Sequence, residues 1–454
     1  MPVHPIEYRY GSEEMRRIFD YRRRIKLLAR IEAELARVEA ELGVIPREAA
    51  DSIAKAAEQV DWEDVLRWEK VTRHETMALV KAIAEKAGRY GEYVHFGATS
   101  NDILDTATAV QISEASEILK KKLISLTRAI IRRGRESLEY IAPARTHGMI
   151  AIPIPFGFKF AVWASMMRRN IERFIRASED ASKGKLSGAV GTMAALGEIG
   201  PEVQRRLMRS LKIGESEIST QVVPRDGLAY LIEVMALISS CLDLIANEIR
   251  NLHRSEIGEV VEPFNVREQT GSSTMPQKVN PINSEKVCGL ARIMRGLVVP
   301  SLENVVLEHE RDLTNSSVER IIVPEAFLIL DEQLETLLFV MENLVMRPDA
   351  MRSNIERTRG LIMAERLMMA LAKKGFGRQS AHEIVRQLSL RAMREKRHLK
   401  EEVLSDEIIS NSLSREELDE IFDPATYVIT GKKIALSVFD SVEKFLDSLE
   451  GKTT

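Results

Sequence analysis

The amino-acid sequence predicts an all-α protein, and three observations support this prediction. Over most of the chain, apolar residues recur at intervals of three and four positions, which is the spacing of residues on one face of a helix. Residues 228–257 contain neither Gly nor Pro, and residues 101–140 contain only Gly134, so the helical pattern exceeds the usual length of a globular helix. The Val/Ile-rich pieces near Ile152 and Val222, which could be strands, are short and interrupted by prolines.

In the N-terminal part of the chain, the capping residues and the apolar spacing predict three helices in succession. Ser12 is a suitable N-cap, and the apolar stripe over residues 15–42 indicates one long helix that ends at Gly43. A second helix begins near Pro46, because proline is favoured in the first turn. A third helix is predicted for residues 64–87.

The uninterrupted segments in the middle of the chain predict long helices of a bundle. Apolar residues at 228–238 cover more than one helix face, which indicates burial on several sides, and thus packing against helices of other subunits. After about Met346 the apolar runs shorten and charged residues become more frequent. We therefore expect a smaller C-terminal helical domain from residue 346 onward.

Composition and charge argue against several classes of protein. A formal net charge of −3 over 454 residues gives no basic face for nucleic acid. We find no apolar run near the ~20 residues that span a bilayer and no signal-peptide pattern at the N-terminus, so we expect a soluble cytoplasmic protein without a membrane partner. Cys241 and Cys288 are expected to be buried thiols.

Residues 271–281 contain the densest group of candidate catalytic side chains. They read Gly-Ser-Ser-Thr-Met-Pro-Gln-Lys-Val-Asn-Pro, with Ser272 or Ser273 as nucleophile or base, the cation of Lys278 and the amide of Asn280. The leading Gly leaves the backbone free to bend and to present its N–H groups to an anion. A flexible linker has no use for this order of residues, so we favour a functional loop over an ordinary surface loop.

Five further polar clusters interrupt the apolar pattern. They are residues 9–10, 72–76, 95–102, 145–148 and 308–320. His147 lies in a loop flanked by prolines, and loops on rigid scaffolds commonly carry sites. We expect His253, His382 and His398 to be structural, whereas His74 could be structural or functional.

Arg311, Ser316 and Arg320 in the last cluster admit two interpretations. They could form a solvated helix face with salt bridges, or they could bind a phosphate, since guanidinium and hydroxyl groups both donate to its oxygens. The sequence has no Cys/His metal spacing, Walker loop or Rossmann fingerprint. We therefore expect proton transfer without a metal or cofactor.

These motifs resemble the fumarase/aspartase superfamily, whose members eliminate across a C–N or C–O bond to release fumarate. Residues 271–281 are similar to its signature loop, and the other clusters follow in the family's order over nearly the whole chain. The segments similar to the branch that cleaves succinylated purine nucleotides are residues 9–10, 73–75, 221 and 310–320. Glu75 and Gln277 depart from that branch, which has Asp and commonly His or Tyr at these positions.

The resemblance implies release of fumarate from adenylosuccinate, leaving AMP, and from the succinylated aminoimidazole carboxamide ribotide (SAICAR), leaving AICAR. Ser272 would be the base, Lys278 would stabilise the carbanion, and His147 would protonate the departing nitrogen. Glu285 would orient a histidine, and His74 would support catalysis or bind substrate. The implied substrate-binding residues are Arg9, Tyr10, Arg73, His74, Glu75, Thr99, Ser100, Thr146, Gln221, Asn280, Arg311, Ser316 and Arg320. Of these, the phosphate would be held by Arg9, Tyr10, Arg311, Ser316 and Arg320.

The same resemblance implies three helical domains, at residues 1–104, 105–345 and 346–454. It also implies a homotetramer in which the long middle helices of each chain join those of three other subunits in a twenty-helix core. Each active site would be built from three chains. Two alternatives stay open. Another fumarate-releasing lyase, such as an argininosuccinate lyase, would leave residues 311–320 without a phosphate to bind, and a non-catalytic structural protein on this scaffold would assemble without turnover.

Overall fold

The structure is a computed structural model that describes residues 4–263, 274–275 and 277–451, and most of these residues are helical. The helices are α1 (Glu13–Phe19), α2 (Tyr21–Glu41), α3 (Arg47–Gln59), α4 (Trp62–Thr72), α5 (Glu75–Ala87), α6 (Ser100–Glu136), α7 (Gly157–Ala181), α8 (Gly200–Leu211), α9 (Asp226–His253), α10 (Ile282–Gly296), α11 (Val298–Glu303), α12 (Thr314–Asn343), α13 (Pro348–Glu356), α14 (Ala364–Leu371), α15 (Arg378–Glu395), α16 (Leu399–Leu404), α17 (Glu407–Ser410), α18 (Arg415–Ile421), α19 (Pro424–Tyr427) and α20 (Ile429–Leu449). The strands are β1 (Ile141–Thr146), β2 (Met149–Pro155), β3 (Lys183–Gly184), β4 (Gly214–Glu215), β5 (Val260–Val261) and β6 (Val345–Met346). The predicted all-α class is confirmed.

The chain forms two compact units, each assembled from separate stretches of sequence. The first unit comprises Met1–Leu123, Asn170–Leu242 and Gly289–Glu335, and the second comprises Ile124–Arg169, Asp243–Cys288 and Thr336–Thr454. The long helices α6, α7, α9, α10 and α12 contribute residues to both units. The division into three domains at residues 104 and 345 stays a prediction.

The first predicted helix begins and ends as expected but is divided in the middle. Ser12 caps α1, and Gly43 follows α2 with φ 77°. The prediction of one continuous helix over residues 15–42 is wrong, because Asp20 has extended backbone and ends α1. Its carboxylate accepts a hydrogen bond from the N–H of Arg23 at 3.0 Å and so caps α2. Since the apolar spacing continues through the break, periodicity alone does not reveal it.

The predicted helix over residues 64–87 is divided in the same way. Arg73 has the left-handed conformation, φ 51°, and ends α4. His74 has extended backbone, and its Nδ1 accepts a hydrogen bond from the N–H of Met77 at 3.3 Å, which caps α5. The ring of His74 is therefore engaged in capping.

The core of the first unit lies between α2, α3, α5, α8 and the first turns of α6. Its fully buried members include Ile25, Leu35, Ile53, Leu79, Ile103 and Leu207. These residues follow the three-and-four spacing on their helices, so each helix buries one apolar stripe.

Glu32 and Glu39 of α2 are buried in this core. Oε1 of Glu32 lies 2.7 Å from Nδ1 of His95, whereas the carboxylate of Glu39 has no hydrogen-bond partner among the described residues. Burial, together with the charge of Glu32, raises the pKa of Glu39 to about 8. Burial by itself would lower the pKa of His95, but the adjacent Glu32 raises it. At neutral pH the protonated form of Glu39 is therefore favoured.

The second unit contains an antiparallel hairpin and a C-terminal helical core. Strand β1 pairs with β2 from Ile141 opposite Pro155 to Thr146 opposite Met149. Prolines are tolerated because each strand of a two-stranded sheet is an edge. The C-terminal core, formed by α14, α15, α16 and α18, includes Leu367, Leu371, Val385, Leu388, Leu399 and Leu418. The segment near Val222 is not a strand.

Within the described residues, α9 alone has the length and hydropathy of a membrane span, so the expectation that no such stretch exists is wrong. In the most apolar 18-residue stretch of α9, 56% is buried inside the structure. Buried core helices can have the same length and hydropathy as a membrane span. The exposed part includes Tyr230, Leu237 and Leu244, with exposed fractions of 38%, 44% and 52%. Their spacing of seven residues places them on one side of α9.

Replacing Glu39 by Gln should make thermal unfolding less sensitive to pH. Because folding raises the pKa of Glu39 from 4.5 to about 8, the folded chain retains a proton that the unfolded chain releases. This contribution to stability is full below the unfolded pKa and is lost as the pH rises toward the folded one, by at most about 1.4 kcal/mol per pH unit. The raised pKa of His95 acts in the same direction.

Unfolding midpoints of the wild type and Glu39→Gln, followed by circular dichroism between about pH 5 and 9, test this expectation. Glu58→Gln, at an exposed position on α3, is the matched control and should retain the wild-type slope. Parallel profiles for Glu39→Gln and the wild type would contradict the assignment.

Candidate active site

A cavity of about 270 Å³ in the first unit combines several arginines with carboxylates and hydroxyl groups. The arginines are Arg24, Arg225, Arg311 and Arg320, and the carboxylates are Glu75, Asp105 and Glu319. Tyr21, Asn315 and Ser316 add hydroxyl and amide groups. The four arginines outnumber the three carboxylates, and this excess of positive charge and of hydrogen-bond donors is suited to an anionic group on a small molecule.

The predicted phosphate ligands Arg311, Ser316 and Arg320 all line this cavity. Arg320 donates to the carboxylate of Glu75 at 2.6 Å, although 60% of its side chain is exposed. Arg311 donates to Oε1 of Gln221 at 2.5 Å, and its buried Nε has no partner in the described part of the chain. A solvated helix face would pair residues along one helix, whereas these partners come from other segments. The structure thus brings the three residues together in one cavity, and their role in binding an anion stays a prediction.

Arg225, which the sequence analysis did not single out, is buried between two carboxylates. It donates to both oxygens of Asp105 at 2.8 and 2.9 Å and to those of Glu319 at 2.7 and 3.2 Å. Burial by itself would lower the pKa of Arg225, but Asp105 and Glu319 raise it well above its usual value. The network joins the start of α6, the residue before α9 and the start of α12.

Tyr21 and Arg24 of α2 are further cavity residues that the sequence analysis missed. Arg24 donates to Oε1 of Gln111 at 2.6 Å, and burial lowers its pKa. Burial and the charge of Glu75 raise the pKa of Tyr21. The sequence did contain one signal for Arg24, namely the three successive arginines at positions 22–24 in the first turn of α2. Cations at this place oppose the helix dipole, so their presence indicates a role other than helix stability.

Thr99 and Ser100 lie at the N-terminus of α6, beside a buried ion pair. Asp102 accepts hydrogen bonds from Nζ of Lys185 at 2.5 Å and from the N–H groups of Thr99 and Ser187, both at 2.8 Å. Asp102 and Lys185 are fully buried. No motif marked Lys185, so only the fold reveals what holds this helix end in place.

The other predicted residues of the first unit lie beside the cavity or away from it. Arg9 is exposed and Tyr10 is half-buried, both just before α1, and neither belongs to the described cavity lining. Arg73 and His74 are exposed on either side of the break between α4 and α5. Glu75, which follows them, is the member of this motif that lines the cavity.

His147 lies at the exposed tip of the β1–β2 hairpin with φ 53°, and the neighbouring Thr146 is also exposed. The end of β1 next to this tip is fixed by Arg145, which donates to both carboxylate oxygens of Glu259 at 2.6 and 3.1 Å. Glu259 is fully buried. A bidentate pair of this kind restricts direction as well as distance, so it orients the strand that leads to His147.

The remaining catalytic predictions fall on or near the signature loop, defined as residues 271–281. Lys278 and Glu285 are exposed and Asn280 is half-buried. Glu285 lies in the first turn of α10 and makes no ion pair within the described residues. Both serines proposed as the base, Ser272 and Ser273, lie outside the described residues.

The cysteines differ in exposure. Cys288 is buried as expected, and burial raises the pKa of its thiol to about 11, whereas Cys241 is only half-buried. In the described part of the chain, no group of His, Cys, Asp and Glu side chains could hold a metal ion.

Comparisons with known families and structures agree with this geometry. A family model described as Lyase matches residues 8–296, and one described as Adenylosuccinate lyase C-terminus matches residues 360–436. A fumarate lyase from Mesorhizobium sp. BNC1 has a TM-score of 0.88 at 32% identity, covering 97% of this chain and 100% of that one. A 3-carboxy-cis,cis-muconate lactonizing enzyme from Pseudomonas putida has a TM-score of 0.88 at 29% identity, covering 97% and 99%. The fold and the matched family model define a lyase of the fumarase/aspartase superfamily, which confirms the resemblance.

Two similar curated proteins identify the family within this class. The chain is 46% identical to an adenylosuccinate lyase of Pyrococcus horikoshii, over 98% of this chain and 99% of that protein. It is also 46% identical to an adenylosuccinate lyase of Methanothermobacter thermautotrophicus, over 98% of this chain and all of that protein. The chain belongs to the adenylosuccinate lyase family.

Replacing Arg225 by Lys should lower the free energy of unfolding by roughly 2–4 kcal/mol, because an ammonium group cannot bridge both carboxylates and leaves buried charge uncompensated. Urea unfolding, followed by fluorescence, measures the change. Arg205→Lys, which alters a half-exposed pair with Glu202, is the matched control and should differ from the wild type by less than about 0.5 kcal/mol. Equal unfolding midpoints for Arg225→Lys and the wild type would contradict the role given to the network.

Proposed function

We propose that this protein is a C–N lyase of purine biosynthesis that removes fumarate from adenylosuccinate, giving AMP, and from SAICAR, giving AICAR. The observation that carries the proposal is the cavity where Arg311, Ser316 and Arg320 present donors suited to a nucleotide phosphate. Identity of 46% to proteins named adenylosuccinate lyase, over nearly the whole chain, supports the same substrates. A substrate without a phosphate would leave this cavity without a matching anion.

Phosphate binding in this proposal involves an exchange of partners at Arg320. Glu75 holds Arg320 at 2.6 Å, but 60% of the Arg320 side chain is exposed, so a ligand can reach its guanidinium group. A phosphate dianion carries more charge than one carboxylate and offers paired oxygens to the guanidinium fork. The buried Nε of Arg311, which has no partner among the described residues, is a further donor in the same cavity.

The elimination requires one base and one acid. Ser272, as an alkoxide stabilised by backbone N–H groups, takes the proton from the β-carbon of the succinyl group. The electrons of that C–H bond form the C=C bond of fumarate as the C–N bond breaks, and His147 gives a proton to the departing nitrogen. Lys278 stabilises the charge that develops on the adjacent carboxylate.

The other family positions bind or orient the substrate in this proposal. Glu285 orients a histidine, and His74 supports catalysis or binds the substrate. Arg9 and Tyr10 contribute to the phosphate site. The succinyl group and base are held by Thr99, Ser100, Thr146, Gln221 and Asn280, and Arg73 and Glu75 complete the set.

We also propose a cytoplasmic homotetramer with a twenty-helix core and active sites shared between chains. The exposed apolar stripe of Tyr230, Leu237 and Leu244 on α9 supports self-association, since its seven-residue spacing suits helix-to-helix packing. Covering this stripe with another subunit would also explain why the exposed side of α9 is apolar. A mass other than that of four chains in sedimentation equilibrium would contradict the assembly.

The decisive assay mixes the purified protein with adenylosuccinate and, separately, with argininosuccinate, and follows fumarate by absorbance. We expect fumarate from the nucleotide alone. Fumarate release from argininosuccinate alone would support the elimination chemistry but contradict the proposed phosphate site. No release from either substrate by an intact oligomer would contradict the lyase activity.

Replacing Ser272 by Ala should lower kcat by several orders of magnitude, on the order of 10⁴-fold, while the fold is retained, because no other group would take the β-proton. Ser273→Ala is the matched control and should retain most of the activity. Turnover in Ser272→Ala with loss in Ser273→Ala would move the base to the second serine.

Replacing Arg320 by Ala should mainly raise KM for adenylosuccinate, by about 10- to 100-fold, because a charge-assisted contact to the phosphate is lost. The released carboxylate of Glu75 would add repulsion. Steady-state kinetics separate KM from kcat, and Arg17→Ala, an exposed arginine on α1, is the control. An unchanged KM in Arg320→Ala would contradict the phosphate assignment.

A further inference from the structure

The segments on either side of the signature loop are joined by the carboxylate of Glu262, which is 2% exposed. Its Oε2 accepts from the backbone N–H and the side-chain amide of Asn283, at 2.9 and 3.1 Å. Its Oε1 accepts from the backbone N–H and the hydroxyl of Ser284, at 2.8 and 2.6 Å. These donors use both oxygens of the carboxylate at the N-terminus of α10, where negative charge is favoured.

His253, at the end of α9, adds a second link between the same segments. Its Nδ1 accepts a hydrogen bond from the N–H of Glu262 at 3.0 Å, and its Nε2 lies 3.1 Å from the carbonyl oxygen of Val279. A backbone N–H can only donate and a carbonyl can only accept, so these contacts require a neutral ring with its proton on Nε2. The ring therefore connects Glu262 with Val279, which separates Lys278 from Asn280.

The same short stretch of chain also fixes the hairpin that carries His147. Glu259, three residues before Glu262, accepts the bidentate pair from Arg145 and a further hydrogen bond from Asn354 at 2.8 Å. Strand β5 lies between the two glutamates, and side chains at odd spacing along a strand point to opposite sides. One extended segment thus holds the hairpin on one side and the start of α10 on the other.

We propose that Glu262 and His253 are positioning residues that set the location of Val279, and thereby of Lys278 and Asn280, for the elimination. Neither residue contacts the substrate in this proposal. It rests on the proposed function, since the role of Lys278 and Asn280 comes from there. Because Lys278 alone stabilises the developing charge, whereas Asn280 is one of many groups that hold the substrate, disturbing Val279 should lower kcat more than it raises KM.

A pair of substitutions at His253 separates its two contacts. The amide of Asn reaches about as far as Nδ1 and can accept from Glu262, whereas the amide of Gln reaches about as far as Nε2 and can donate to Val279. If the position of Val279 matters, His253→Gln should retain more kcat than His253→Asn. We expect a loss of about 10- to 100-fold for His253→Asn and for Glu262→Gln, with KM within about threefold of the wild type.

The experiment measures kcat and KM for fumarate release from adenylosuccinate, with the unfolding midpoint of each variant recorded. Glu256→Gln, an exposed carboxylate near Glu259, is the matched control and should behave as the wild type. Wild-type kcat in Glu262→Gln and both His253 variants would overturn the proposal. Equal losses in the two His253 variants with a raised KM would also overturn it, because they would indicate general damage.

Hydrogen exchange at the backbone amides of Asn283 and Ser284 tests their hydrogen bonds to Glu262 without relying on activity. Exchange at least about tenfold faster in Glu262→Gln than in the wild type and Glu256→Gln would support the proposal, and unchanged exchange would overturn it. If the wild type releases no fumarate, the proposed function fails, and the exchange measurement still decides whether Glu262 fixes the start of α10.

Discussion

The buried guanidinium of Arg225 is the constraint on which the arrangement of the first unit depends. A buried charge is tolerated only when opposite charges and hydrogen bonds compensate it, so Asp105 of α6 and Glu319 of α12 must both reach it. Because Arg225 directly precedes α9, this requirement aligns the N-terminal ends of three long helices. The N-terminal end of α12 carries Ser316 and Arg320, so compensating the charge of Arg225 also helps to position these two cavity residues.

The second unit uses the same physical rule with the signs reversed. There the buried groups are the carboxylates of Glu259 and Glu262, and the compensating donors are Arg145 and the first turn of α10. In both units, polar groups inside the protein hold the segments that carry the side chains proposed to bind or act on the substrate. Apolar packing supplies the cores, but it has no direction, whereas hydrogen bonds to buried charges specify orientation.

The similarity to structures with different titles shows why the fold alone does not specify the reaction. A fumarate lyase and a lactonizing enzyme both match this chain with TM-scores of 0.88. What distinguishes a member of this superfamily is the set of side chains that the helices present. In this chain the helices of the first unit present an arginine-lined cavity, where Arg320 pairs with Glu75 and Arg311 with Gln221.

The sequence by itself determined the helical class, the cap at Ser12, the stop at Gly43 and the residues of the motifs, because these depend on neighbours within a few positions. The break at Asp20 stayed hidden, since a cap can divide a helix without disturbing its apolar spacing. Only the tertiary structure decided which charges pair. Arg225 and Asp105 are 120 positions apart, and Arg320 and Glu75 are 245 apart, so no local pattern connects them. Such contacts exist only after the chain has folded, because the free energy of burial brings distant segments together and leaves each buried charge to find its partner there.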